Sequence, residues 1–264
     1  MNQVKTVAMI TGATGAIGEA IASGLAKHSN YEVVLIARNE AKAQKSVQDI
    51  IQATGNQAIR YELCDLSRRA EIYTLAEEWQ GPLHILINNA ALSPRKRHET
   101  PEGIETQFAV NVLSYFWMTQ AFTPNLKAGA PARVINVASY WAGDLDIDDL
   151  EFKQRAYRNG TAYRQSKQAN RMLTVAFAER LKPVGISVNS CHPGDVNSTL
   201  SNDLGFGGSE TPEQGAATPV WLATAPKGVT KSGRYFSQMH AERCRSSENK
   251  HAIEVLYAAC LQYA

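Results

Sequence analysis

Short apolar runs alternate with longer amphipathic stretches along most of the chain. Val4–Ile10, Glu32–Ala37, Ala58–Leu63, Leu83–Asn88, Arg133–Ala138, Ser187–Cys191 and Arg234–Phe236 read as strands. Between them Ile17–His28, Glu40–Thr54, Arg68–Trp79, Ile104–Leu126, Ala162–Leu181 and Pro212–Thr224 read as helices. In the central one, Ile104, Phe108, Val112 and Phe116 recur every four residues, a stripe that predicts burial. Short, nearly continuous apolar strands separated by helices belong to parallel sheets covered on both faces. The pattern predicts an α/β fold with a doubly wound parallel sheet of about seven strands.

Length and composition narrow the class. With 264 residues and no internal repeat or Pro/Gly/Ser-rich linker, residues 1–264 form a single domain. Hydrophobic residues at 44%, charged residues at 20% and a net charge of +2 give no field suited to nucleic acid. Val4–Ile10 leads straight into a glycine loop, and no stretch approaches the roughly 20 apolar residues of a membrane span. A cytoplasmic protein with no transmembrane segment is expected. Cys64, Cys191, Cys244 and Cys260 lie far apart without a C-x-x-C pair, which suits buried, reduced thiols and no metal site.

The candidate chemistry begins at Thr11-Gly12-Ala13-Thr14-Gly15-Ala16-Ile17-Gly18. A strand, a glycine turn and a helix start offer backbone N–H groups and a helix dipole to a pyrophosphate, so Gly12, Thr14, Gly15, Ala16, Ile17 and Gly18 are the expected cradle of a Rossmann nucleotide site. Cofactor choice is read at the end of the second strand, where Arg38 stands with no acid before Glu40. A guanidinium there grips the extra phosphate of NADP, the alternative being a solvated strand end. Asp65, beside Leu66, faces the adenine or caps the next helix, two compatible roles. Asn89 and Ala90, between Asn88 and Ala91, permit close approach of a cofactor, although an Asn pair alone reads as turn chemistry.

Tyr163 and Lys167 stand four apart on one helix, hence on one face. An ammonium beside a phenol favours the phenolate and is expected to pull the tyrosine down from its usual value of roughly 10. Carbonyl reduction beside a nicotinamide needs such an acid. Tyr157 is a rival without a lysine four residues on, and Tyr140 reads as packing or a pocket wall.

These motifs, with Ile135-Asn136-Val137-Ala138-Ser139, Val110-Asn111-Val112, the acidic Asp148-Asp149-Leu150 and His192-Pro193-Gly194-Asp195-Val196, together resemble the short-chain dehydrogenase/reductase superfamily, most closely its retinol-dehydrogenase-like and carbonyl-reductase-like branch, over roughly Val4 to Met239. The resemblance implies Tyr163 as proton donor, Lys167 as its partner, Ser139 as the hydroxyl on the substrate oxygen and Asn111 as the holder of a relay water. It also implies nicotinamide contacts from Pro193, Gly194, Val196 and Ser198 or Thr199. NADP(H) is the preferred cofactor, NAD(H) a possible one, and the substrate a small carbonyl or alcohol. Three departures stand out: Ala16 at the middle glycine with Gly15 before it, Ala91 in place of the usual glycine, and a long span from Ser139 to Tyr163.

Protochlorophyllide reductases resemble this branch, so reduction of a C=C bond is an alternative. A non-catalytic NADP(H) sensor is another, against which the full Asn111, Ser139, Tyr163 and Lys167 set argues. Loops at Ala142–Gly160 and Pro193–Thr211 belong over the carboxyl edge of the sheet and are the expected substrate loops, about 140–160 and 193–211. Arg95-Lys96-Arg97-His98 and the acids Asp144, Asp146, Asp148, Asp149 and Glu151 read first as wet surface. Oligomeric state is open, and Glu242–Ala264 holds a helix without a readable role.

Overall fold

The computed structural model describes residues 5–226 and 231–264. In chain order its first half runs β1 (Thr6–Thr11), α1 (Ala16–Ala26), β2 (Tyr31–Ala37), α2 (Glu40–Thr54), β3 (Ile59–Leu63), α3 (Arg69–Glu78), β4 (Ile85–Asn88), α4 (Thr106–Phe108), a π turn (Ala109–Leu113), α5 (Ser114–Ala121) and α6 (Thr123–Ala128). There follow β5 (Ala132–Val137), α7 (Asn159–Leu181), β6 (Ile186–Cys191), α8 (Thr199–Asp203), α9 (Pro212–Thr224), β7 (Tyr235–Ser237), β8 (His240–Glu242) and α10 (Lys250–Leu261). The expected start of the first strand at Val4 lies outside the described residues.

The sheet has eight strands in the order β3-β2-β1-β4-β5-β6-β7-β8, parallel except for β8. That antiparallel edge strand was not expected, because all three of its residues are exposed and carry no apolar run. Successive strand residues face opposite sides. Met9, Val34, Leu86 and Val134 enter the layer under α3, α5, α7 and α10, whereas Ile10, Leu35 and Ile87 enter the layer under α1 and α9. The sheet is thus buried on both faces, which is why its strands read as continuous apolar runs.

The single long helix expected over Ile104–Leu126 is divided. A π turn interrupts it at Ala109–Leu113, and it stops at Ala121 before α6 begins with a proline in its first turn. Phe108, Val112 and Phe116 are nonetheless buried as the stripe predicted. The unread C-terminal segment supplies α10, which lies on α7 and sets Tyr257 against Phe116 and Phe177, with ring centroids 5.1 and 5.4 Å away. All four cysteines are free and buried. No helix among the described residues is long and apolar enough to cross a membrane.

Candidate active site

From β1 the chain winds outward through β2 and β3, then returns to pair β4 against the other side of β1. Connections therefore diverge above Thr11 and Asn88, and a crevice opens at this switch point. Gly12 has φ +62°, and a Cβ there would lie 2.8 Å from the Ala90 Cα, so the turn needs glycine on both counts. Thr11 and Asn89 lock the two strand ends together. The Thr11 Oγ1 accepts from the amides of Asn89 and Ala90 at 2.8 and 3.1 Å, and the Asn89 amide nitrogen donates to the Thr11 carbonyl at 2.9 Å. The shifted glycine spacing has a simple outcome: Gly15 is the extended N-cap of α1 and Ala16 its first helical residue. Gly15, Ala16, Ile17 and Gly18 still line the crevice mouth.

A cavity of about 490 Å³ fills this crevice. Gly12, Thr14, Gly15, Ala16, Ile17, Gly18, Arg38, Asp65, Leu66, Asn89, Ala90 and Ser198 all line it. Lys42, Cys64, Leu92 and Val110 line it as well and were not foreseen. Two basic side chains stand at the rim. Arg38 is exposed there beside Lys42, while Glu40 is engaged by the Tyr61 hydroxyl at 3.1 Å and the Gln44 amide at 3.3 Å. Asp65 accepts from the Ser67 amide and hydroxyl at 3.0 and 2.8 Å, shaping the turn into α3 while still facing the cavity. Pro193, Gly194 and Val196 do not line it. They lie on the loop after β6, where Gly194 has φ +100° and the buried Val196 side chain packs toward Gly215 on α9.

The titratable centre sits where α7 crosses the carboxyl ends of β5 and β6. Lys167 is 1% exposed; its Nζ donates to the Val137 carbonyl at 2.8 Å and lies 5.4 and 5.7 Å from the ring centroids of Tyr115 and Tyr163. Burial pushes the lysine down to about 7. Burial likewise pushes Tyr163 up to about 12, with the neighbouring Ser139 hydroxyl acting in the opposite direction. The expected downward pull on the phenol is therefore corrected. One carbonyl does not repay an ammonium for lost water, and a lysine that sheds its proton this readily exerts little pull.

Ser139 stands two residues beyond β5, its Oγ accepting from the Trp141 amide at 3.2 Å. Asn111 lies in the π turn, fully buried. Its side chain accepts from the Leu92 amide and donates to the Leu92 carbonyl, both at 2.9 Å, and the backbone carbonyl that the π turn turns outward accepts from the Asn170 side chain at 2.9 Å. The bond from Asn170 to Asn111 was not foreseen; Asn170 falls three residues after Lys167 on the same helix, a spacing that was available in the sequence.

The rival Tyr157 is held elsewhere, its hydroxyl 2.9 Å from the Pro94 carbonyl oxygen and 2.8 Å from the Gln107 side-chain oxygen. Two of the acids assigned to wet surface are buried. Asp149 accepts from the amides of Lys153 and Arg155 at 2.7 and 3.0 Å, and Glu151 from the Tyr263 hydroxyl at 2.7 Å. Burial works to raise the Asp149 carboxyl, but the bonds from Arg155, Gln154 and Lys153 outweigh it and hold it below the usual range. Arg97, from the basic run, donates to the Glu151 carbonyl at 2.9 Å. These side chains fold the inserted segment onto the helices. Tyr140 is 49% exposed and stacks edge-on against His192, while Trp141 packs on Phe206 with centroids 4.6 Å apart.

The profile of the short chain dehydrogenase family matches residues 6–205. The chain belongs to that family. It is 34% identical to retinol dehydrogenase 13 from Homo sapiens over 252 residues, covering 88% of this chain and 76% of that protein. An uncharacterized protein from Mycobacterium paratuberculosis superposes with a TM-score of 0.82 at 23% identity, over 98% of this chain and 93% of that one. A metagenomic short-chain oxidoreductase solved in complex with NADP gives a TM-score of 0.68 at 25% identity, over 89% and 97% of the two chains. This family member is an oxidoreductase with a nicotinamide-binding fold, similar to retinol dehydrogenases.

Proposed function

We propose that this short chain dehydrogenase reduces an aldehyde or ketone to an alcohol with NADPH, or runs the reverse. The observation that carries the reading is the burial of Tyr163 and Lys167 on one face of α7, with Ser139 beside the tyrosine, at the same carboxyl edge of the sheet as the glycine-lined cavity. A bound nicotinamide supplies or takes the hydride.

The chain's own residues manage the proton. Tyr163, its phenol proton held to about 12, donates from Oη to the substrate oxygen. The Ser139 Oγ, accepting from the Trp141 amide, keeps its hydrogen to donate to the same oxygen and offsets charge that develops there. Lys167, poised at about 7, exchanges its proton near neutrality and replaces the one Tyr163 gives up. Asn111, fixed by Leu92 and Asn170, holds the inner end of that relay. Arg38, with Lys42 beside it, grips the 2′-phosphate that distinguishes NADP. Pro193, Gly194, Val196 and Ser198 close over the nicotinamide end, and the segments 140–160 and 193–211 form the substrate loops. Tyr140, Trp141 and Phe206 give those loops an aromatic wall suited to an apolar carbonyl. A relative named retinol dehydrogenase and a neighbour solved with NADP both support the reading.

Tyr163→Phe tests it. Turnover of the best carbonyl in a panel that includes retinal should fall on the order of 10²- to 10⁴-fold, the span of general acid catalysis. The thermal shift on adding NADPH should remain, because ligand binding to the folded state is untouched. Equal turnover in the two proteins would remove Tyr163 from the reaction.

A further inference from the structure

One turn beyond Lys167, on the same helix as Tyr163, stands Arg171. Its Nη2 donates to the Ser139 carbonyl oxygen. Its guanidinium carbon lies 3.6 Å from the ring centroid of the buried Tyr235, and its Nη1 is 3.8 Å from the Cys244 sulfur. The guanidinium is therefore clamped between a strand, the segment after β8 and the turn that begins at Ser139. The thiol registers its charge. Burial works to raise Cys244, but the Ser246 and Ser247 hydroxyls and Arg171 outweigh it and hold the thiol below its ordinary value, whereas burial pushes Cys191 and Cys260 up to about 12.

This contact adds to the turn's own hydrogen bonds. Within it the Ser139 carbonyl accepts from the Ala142 amide at 3.3 Å and the Ser139 Oγ from the Trp141 amide at 3.2 Å, both long bonds. The charge-assisted bond from Arg171 is the strong one, and a planar, stacked guanidinium fixes its direction. We propose that Arg171 is a positioning residue that sets the Ser139 peptide, and hence its hydroxyl, from a seat made by Tyr235 and Cys244. The inference rests on the reading of Ser139 as the hydroxyl that meets the substrate oxygen.

The test compares Arg171→Gln and Arg171→Lys, each alone and combined with Ser139→Ala, using the carbonyl that the wild type reduces fastest. Arg171→Gln should lower kcat on the order of 10- to 100-fold, the scale of a sub-ångström to 1 Å misplacement. The NADPH thermal shift should be unchanged, amide exchange at Trp141 and Ala142 should quicken, and Arg171→Lys should restore much of the loss. In the Ser139→Ala background Arg171→Gln should cost nothing further, since residues acting as a unit are not additive. Equal fold losses in both backgrounds, or wild-type kcat in Arg171→Gln, would overturn the proposal. Wild-type turnover by Ser139→Ala alone would instead overturn the reading of Ser139, and this inference with it. Should Arg171→Gln fail to fold, Arg171→Met, which keeps the stem packing, carries the same comparison.

Discussion

Burial on one helix face sets the protonation of the two groups at the centre of the proposed reaction, and it sets them in opposite senses. Tyr163 keeps its proton up to about 12 and Lys167 gives its own up near 7. Against an ordinary lysine value of 10.5, the folded chain holds fewer protons at this site than the unfolded chain across about 7 to 10.5. The lysine's contribution to stability should therefore grow as pH rises through that window and be lost as pH falls through about 7. The opposing linkage of Tyr163 starts only above its ordinary 10. Denaturant unfolding of wild type and Lys167→Met at about pH 7 and pH 9 checks the sign: their difference should shift in favour of the wild type at the higher pH. A second prediction concerns Arg38. Arg38→Ala should weaken NADPH roughly tenfold or more, the worth of one charge-assisted hydrogen bond, and leave NADH affinity unchanged by titration calorimetry. Tyr163 and Lys167 were legible because a spacing of four is a geometric statement on any helix. The direction of the tyrosine shift was not legible, since it depends on how deeply α7 is buried, and depth is a property of the packed molecule.

Elements were legible where their apolar period was strong. β2, β4 and β6 emerge within one or two residues of the expected runs, and α2 and α9 span the residues expected. Three features escaped for physical reasons. β8 is wholly exposed and has no hydrophobic signature. The π turn keeps the buried stripe of Phe108, Val112 and Phe116 intact, so the period gives no sign that one backbone carbonyl has been released toward Asn170. Asp149 and Glu151 look like surface acids because their partners come from Arg155, Lys153 and Tyr263, positions that only the folded insertion brings together. The role of α10 became readable with its packing: Leu256 is fully buried against the α7 layer. Leu256→Ala should cost roughly 2–5 kcal/mol in denaturant unfolding. A loss below about 1 kcal/mol would mean that α10 is peripheral to the core.

At the scale of the whole molecule, the doubly wound topology opens a crevice above β1 and β4, and the helix that crosses β5 and β6 brings the tyrosine and lysine to the same carboxyl edge of the sheet. Gly12 and Gly18 were readable as a cradle because close approach of backbones demands glycine. Arg171 behind Ser139 was not, because it acts through a neighbour distant in sequence. In the proposed reaction, hydride reaches a carbonyl carbon while Tyr163 protonates its oxygen. It is tested most directly with NADPH deuterated at the transferring position of its nicotinamide, followed by mass spectrometry of the product. The account predicts one deuterium on the carbinol carbon of the alcohol, and a rate on the order of 10²- to 10⁴-fold lower in Tyr163→Phe. Deuterium on a carbon of a former C=C bond, or NADPH bound with no deuterium transferred to any carbonyl in the panel, would contradict it.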